Sequence, residues 1–230
     1  MSDFEIVSVN VAQPSVLLAW SEGEVISSLD KQPVTEPLLA LTTLNLEGDR
    51  QADDRPTASG QPVHGGVHQA VYAFPIEHYP RLAEITGAEV EPGYMGENVT
   101  VRGGTERDAR IGDVWAWGNA LLQVTSPRGP CYKLGIRMGK QALRTVVRGE
   151  GLVGWYLRVL RPGTVPTTGS ISVSEPDPQR LTVKAVHDAL QQRAETFPAV
   201  AAHPALSPQL RRALLAKDRD LSGGVPEQDD

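Results

Sequence analysis

Val114-Trp115-Ala116-Trp117-Gly118-Asn119-Ala120-Leu121-Leu122-Gln123-Val124 is the stretch that decides the fold class. Two apolar runs flank Gly118-Asn119, a pair that tolerates positive φ, and this arrangement predicts a β-hairpin. Working outward, further short apolar runs predict strands at Leu38–Leu46, Ala70–Phe74, Asn98–Val101 and Trp155–Leu160. Phe4-Glu5-Ile6-Val7-Ser8-Val9-Asn10-Val11 alternates with period two after Phe4, as a half-buried strand does. Two helices interrupt the strands, one near Glu77–Thr86 and one from about Ile136 to Arg148, closed by Gly149. Many strands at short intervals with few long helices predict a mainly β, α+β fold built on a barrel or sandwich.

The chain has 230 residues, 22 Lys+Arg against 28 Asp+Glu, a formal charge of −6 and one cysteine. Its length suits one large domain, or one domain with a small appendage, and needs no covalent or metal staple to hold a core. One cysteine excludes an internal disulfide framework, a Cys-only zinc site and an internal iron–sulfur cluster. Net acidity argues against nucleic-acid binding. Met1-Ser2-Asp3-Phe4-Glu5 is acidic where a signal peptide is basic. Val16-Leu17-Leu18-Ala19-Trp20 falls far short of the ~20 residues of a membrane span. With no membrane segment and a lone thiol, the expected location is cytoplasmic.

Residues 1–175 carry the strands, 176–221 a unit of three short helices, and 222–230 a polar tail expected to be disordered. Thr182 is placed to N-cap the first of these helices, and Ser207-Pro208 is an N-cap with Pro at the first helical position. Residues 180–221 hold seven basic and four acidic side chains. We expect a docking or dimerisation unit, with a homodimer possible, because an acidic main domain opposes approach to nucleic-acid phosphate. Arg50–Pro62 is polar and rich in turn formers, and predicts a long loop.

Charge is uneven. Residues 128–161 carry +7, with Lys140, Arg144 and Arg148 spaced to share a helix face, and the rest of the chain carries −13. Cys131 lies inside that positive window, in Ser126-Pro127-Arg128-Gly129-Pro130-Cys131-Tyr132-Lys133-Leu134. Free cysteines are commonly buried and structural. Burying apolar sulfur requires none of the flanking Pro, Arg and Lys, however, and nearby cations favour thiolate.

These segments resemble the MOSC family, named for the C-terminal domain of molybdenum cofactor sulfurases, and within it the YiiM-like branch. The resemblance rests on Ser8-Val9-Asn10-Val11, Leu44-Asn45-Leu46-Glu47-Gly48-Asp49-Arg50-Gln51-Ala52-Asp53, Val63-His64-Gly65-Gly66, Gln69-Ala70-Val71-Tyr72 and Gly96-Glu97-Asn98-Val99. It continues through Ile111-Gly112-Asp113, Gly118–Val124, Pro127–Leu134, Gly154-Trp155-Tyr156 and Val159-Leu160-Arg161-Pro162-Gly163, covering residues 4–170 in order. It implies a MOSC-type β-barrel with peripheral helices over 1–175 and a three-helix accessory domain over 176–221. It also implies a bound molybdenum cofactor (molybdopterin), with Cys131 as the catalytic cysteine and molybdenum ligand. A soft thiolate suits such a metal. Arg128 and Lys133 suit the cofactor's anionic groups. The backbone of His64, Gly65 and Gly66 suits close approach to an anion, and Asn98 a pterin edge. The family also has an association with pyridoxal phosphate binding.

The implied activity is reduction of small N-hydroxylated compounds, N–OH going to N–H plus water. Electrons would come from a separate donor protein, a flavin or iron–sulfur reductase. Two alternatives remain: a carrier of sulfur or cofactor with a persulfide on Cys131, and a cysteine-nucleophile enzyme. The last would need a His base, and none of the five His residues sits in a pairing motif. After His64-Gly65-Gly66 the family carries Pro or a small residue and then Asp, whereas this chain has Val67-His68. His68 is either a proton donor or a surface loop residue, and His78 reads as structural. His64 and His68 would pair on a metal only in a helix, which Gly65-Gly66 oppose. His187 and His203 have no evident partner in the sequence.

Overall fold

Phe4–Val11 forms strand β1, which buries Phe4 and Ile6 in alternation and then, past an irregularity between Ile6 and Ser8, buries the adjacent Val9 and Asn10, so the expected period of two is broken midway. The computed structural model describes residues 3–21, 23–52, 65–140, 142–191 and 197–222. A hairpin of β2 (Ser15–Trp20) and β3 (Gly23–Ser27) follows, then β4 (Gln32–Pro33) and β5 (Leu38–Leu41). β6 (Val71–Pro75) and β7 (Val99–Arg102) flank helix α1 (Tyr79–Thr86). The Gly118-Asn119 turn joins β8 (Val114–Trp117) to β9 (Ala120–Pro127). Helices α2 (Tyr132–Arg137) and α3 (Leu143–Glu150) lead to β10 (Trp155–Arg161), β11 (Gly163–Pro166) and β12 (Ser170–Glu175). Then come α4 (Val183–Gln191), α5 (Phe197–Ala201) and α6 (Pro208–Ser222).

Among the described residues, seven strands run in the order β12-β8-β9-β10-β6-β7-β1, and β1 pairs back onto β12 through Phe4↔Ile171 and Glu5↔Ser170. The ring is a closed barrel. Its one parallel pair is β6–β7, whose connection carries α1, the kind of crossover that parallel neighbours require. Phe4 stacks on Trp115 at 4.4 Å between ring centroids, and Trp155 meets both edge-on at 5.9 and 5.7 Å. All three are buried in the barrel's apolar core. Each such pair contributes about 0.5–1.5 kcal/mol beyond area burial. A second cluster packs Leu82 of α1, Leu134 of α2 and Leu143 and Val147 of α3 against Tyr72 and Phe74 of β6.

The helices after residue 176 share one continuous apolar core with the barrel, through Val183, Val186, Leu206 and Leu214. Thr182 Oγ1 accepts the Ala185 amide at 3.0 Å, and Ser207 Oγ accepts the Leu210 amide at 3.2 Å. Both are the N-caps that the sequence predicts.

The structure departs from the sequence reading in places. The helix expected over Ile136–Arg148 is two helices, because Gly139 adopts φ +61°, outside the right-handed helical region. The second does not stop at Gly149; it ends at Gly151, whose φ of +75° lets its amide reach back to the Val147 and Arg148 carbonyls. Lys140 therefore leaves the expected basic face and donates instead to the Thr86 carbonyl. The strand expected over Leu38–Leu46 ends at Leu41, where Thr42 turns the chain by accepting the amides of Leu44 and Asn45. Most of the expected Arg50–Pro62 loop and nearly all of the 222–230 tail lie outside the described residues.

Candidate functional site

Ser126 and Pro127 at the end of β9 pair with Tyr156 and Trp155 of β10, so the Arg128–Cys131 loop leaves the barrel from a fixed point. The Arg128 amide donates to the Gly154 carbonyl at 3.2 Å. Gly154 sits at φ +62°, and a Cβ there would lie 2.4 Å from the Ala73 carbonyl oxygen, so only glycine fits. Cys131 follows in extended conformation, half-buried, immediately before α2.

The loop opens into a cavity of about 460 Å³. Cys131, Arg128, Lys133, Asn98 and Gly65, expected from the sequence, all line it. Lys31, Asp49, Arg50, Tyr72 and Tyr156 line it too, and were not singled out as site residues. Among the described residues that line it, Asp49 is the one carboxylate, against four cations. The site favours an anion.

Arg128 is 4% exposed, its guanidinium carbon 4.7 Å from the Tyr72 ring centre, and its Nη1 is buried without a hydrogen-bond partner. Burial opposes its charge, but Tyr72, Tyr156 and Cys131 beside it hold its pKa above the ordinary arginine value. Burial also pushes the phenols of Tyr72 and Tyr156 upward. Both stay protonated. Lys31 forms a buried ion pair with Asp49 Oδ1. Burial pulls its pKa below the lysine range, and Asp49 offsets only part of that. Asp49 also accepts the Ala12 amide at 2.8 Å and Asn98 Nδ2 at 2.9 Å. Asn98 Oδ1 accepts the Tyr72 amide at 3.1 Å, so its side chain ties β1, β6 and β7 together at the cavity wall. Lys133 is buried, and its Nζ donates to the Ile26 carbonyl at 2.9 Å.

The amides of Gly65 and Gly66 donate to Gln69 Oε1 and Gln51 Oε1, at 3.2 and 2.6 Å. Gly66 and His68 line a separate small pocket beside Pro208. His64 lies outside the described residues. Burial first, then Arg158, pulls the His68 pKa below the usual histidine value. The other histidines have partners that the sequence did not reveal. His78 Nε2 meets Glu106 Oε2 at 2.7 Å, His187 Nε2 meets the Arg148 carbonyl at 2.9 Å, and His203 Nε2 meets Asp177 Oδ1 at 3.1 Å. Among the described residues, no group of three or more His, Cys, Asp or Glu side chains is arranged to hold a metal ion.

Glu106 braces this region from behind. It accepts the Val153 and Gly154 amides at 2.9 and 2.5 Å as well as His78. Burial would raise its pKa, but the His78 contact and the Gly154 amide outweigh it and leave the carboxyl below its ordinary value. A depressed carboxylate stabilises the fold fully above its unfolded pKa, and that contribution disappears as pH falls through the folded value. Glu106→Gln should therefore flatten the loss of stability below about pH 4.3. The check is the urea midpoint measured across the acid range; identical acid slopes for both proteins would refute it.

The MOSC domain model matches residues 60–173. The uncharacterized protein YflK of Bacillus subtilis (strain 168) is 35% identical over 162 residues, covering 70% of this chain and 69% of that protein. Protein YiiM of Escherichia coli (strain K12) is 38% identical over 154 residues, covering 64% of this chain and 63% of that protein. A protein of Gibberella moniliformis named Reductase is 33% identical over 158 residues, which make up 66% of this chain but 26% of that protein. The crystal structure of YiiM from Geobacillus stearothermophilus superposes with a TM-score of 0.74 at 28% identity, covering 93% of this chain and 98% of that one. Among the described residues, no helix is long and apolar enough to cross a membrane.

Proposed function

The chain belongs to the MOSC domain family, in its YiiM-like branch, and from that premise we propose that it is a molybdenum-cofactor-dependent reductase of small N-hydroxylated compounds. The observation that carries this reading is the pairing, in one cavity, of the only cysteine with a buried arginine whose Nη1 lacks a partner. A buried guanidinium nitrogen left unsatisfied is costly, and an anionic ligand in the cavity would offset the charge that Arg128 holds at its wall. A thiolate is the donor that a thiophilic metal takes. The residues present fit the group. Cys131 would supply the protein's one bond to the metal, and Arg128 and Lys133 would meet the anionic parts. When bound, the cofactor supplies the two-electron chemistry.

The net reaction is R–NHOH + 2 e⁻ + 2 H⁺ → R–NH₂ + H₂O. The electrons come from a separate donor protein, since one cysteine cannot hold an iron–sulfur cluster. The chain itself excludes water from part of the cavity, orients the ligand and holds protons near it. Lys31 Nζ is the proton-bearing atom in the wall best suited to donate, being buried, paired with Asp49 and lowered by burial. The similarity to a Gibberella moniliformis protein named Reductase, of which this chain covers 26%, supports the redox class.

Protein made in a host that assembles the cofactor should contain about one molybdenum per chain and turn over N–OH substrates with an artificial reductant. Labile sulfur on Cys131 without molybdenum would replace this reading with that of a sulfur carrier.

A further inference from the structure

The cavity has a wall that the barrel does not supply. Gln209, Leu210 and Ala213 of α6 line it, together with Leu190 of α4. Gln209 and Ala213 lie one above the other on α6, at i and i+4, and Leu210 lines the cavity about 100° around the helix from Gln209. Leu214 and the preceding Leu206 instead point into the common apolar core. All the cations that line the cavity come from residues 31–133, while two of its three leucines, Leu190 and Leu210, come from the C-terminal helices.

The helix is held in place. The Ser207 amide donates to the Thr125 carbonyl of β9 at 3.3 Å, on the strand that leads to Cys131. Thr125 Oγ1 in turn donates to the His68 carbonyl at 2.8 Å. Arg211 Nη2 donates to the His203 carbonyl at 3.0 Å, and buried His203 is fixed by Asp177. A helix bolted at its first turn to the strand that carries the cysteine loop keeps its cavity face at a fixed distance from the rest of the site.

We propose that this face of α6 is the specificity wall of the cavity, packing the uncharged organic part of the ligand and setting the largest size admitted to Cys131. Aliphatic side chains at a cavity wall reward apolar surface and discriminate by shape, and a few polar groups fix orientation. Gln209 is the polar group on this face. The identity of the ligand as an N-hydroxylated compound rests on the function proposed above, but the existence of the size filter does not.

The test uses the ligand-free protein, in which Cys131 is the sole thiol, so alkylation has no background. Rates are compared for iodoacetamide and for a bulky fluorescein maleimide. Ala213→Trp and Leu210→Trp should lower the bulky-to-small rate ratio by roughly tenfold or more, and Leu210→Ala should raise it. Leu215→Trp, on the exposed side of the same helix, should leave the ratio unchanged. A ratio within about twofold of wild type in Ala213→Trp and in Leu210→Ala would overturn the proposal. So would an equal shift in Leu215→Trp. In molybdenum-loaded protein, Ala213→Trp should raise KM for a large aromatic hydroxamic acid and spare acetohydroxamic acid. If wild-type protein bearing molybdenum reduced neither compound, the function reading would fail while the alkylation result stood.

Discussion

Cys131→Ser should strip molybdenum from the protein and abolish N–OH reduction together. A serine hydroxyl is a harder donor than a thiolate and is protonated when unbound, so it should hold a thiophilic metal far less well. Removing a group that merely supports a metal ligand costs about 10–100-fold, and removing the ligand itself should cost more. The fold should survive. Cys131 is half-buried outside both apolar clusters and serine differs from it by one atom, so the stability change should stay below about 1 kcal/mol. The measurements are molybdenum per chain, turnover with an artificial reductant and the urea midpoint. A Cys131→Ser protein that kept metal and activity would end the cofactor reading.

Glu97→Ala is the substitution expected to cost the most stability. Glu97 is fully buried, and its carboxylate accepts the Gly93 amide at 3.0 Å, the Met95 amide at 2.9 Å, the Thr100 hydroxyl at 3.0 Å and the Tyr79 hydroxyl at 2.5 Å. Alanine leaves the Gly93 and Met95 amides without an acceptor and leaves the Tyr79 and Thr100 hydroxyls only each other, 3.4 Å apart, at about 1–3 kcal/mol for each donor that finds no partner or water. A total of roughly 3–5 kcal/mol is expected, in line with breaking a buried polar network. The turn it braces backs the cavity: a Cβ on Gly93 would lie 2.5 Å from the Lys31 carbonyl oxygen, and Gly96 lines the cavity directly. Chemical denaturation reads the loss. A change below about 1 kcal/mol would mean that solvent or neighbouring groups satisfy these donors.

What could be read from the sequence follows the range of the forces involved. Local signals held well. The Gly118-Asn119 hairpin and the Thr182 and Ser207 caps are decided within a few residues, and each appears where expected, whereas the β1 strand forms but loses its alternation at the irregularity after Ile6. The lysine and arginine spacing at 140, 144 and 148 suggested one helix, but Gly139 breaks it, a case where a single backbone dihedral outweighs a charge pattern. β9 runs on to Pro127 because Ser126 and Pro127 find partners on β10, which residues 120–127 alone do not reveal. The site shows the same division. Cys131, Arg128 and Lys133 are neighbours in sequence and were found together. Lys31 and Asp49 form their pair across 18 residues, and His78 meets Glu106 across 28. No local pattern marks a single lysine between Asp30 and Gln32 as a cavity residue. Asp49 lay within a segment that carried the family resemblance but offered no reason of its own to be chosen. The α6 wall was invisible for a simpler reason: an amphipathic helix shows that it packs, not what it faces.

Closure of the barrel has a consequence for the order in which the chain is made and folded. The ring exists only when Phe4 meets Ile171, so the final seam joins the beginning of the barrel sequence to its end. Such a pairing must overcome the entropy of a very long loop and belongs late in folding. A nascent polypeptide that has not yet emerged past Glu175 cannot have the closed ring, whatever local hairpins it has formed. The thiol of Cys131 is translated well before Leu190, Leu210 and Ala213, so the complete cavity exists only after the chain beyond the barrel has been made.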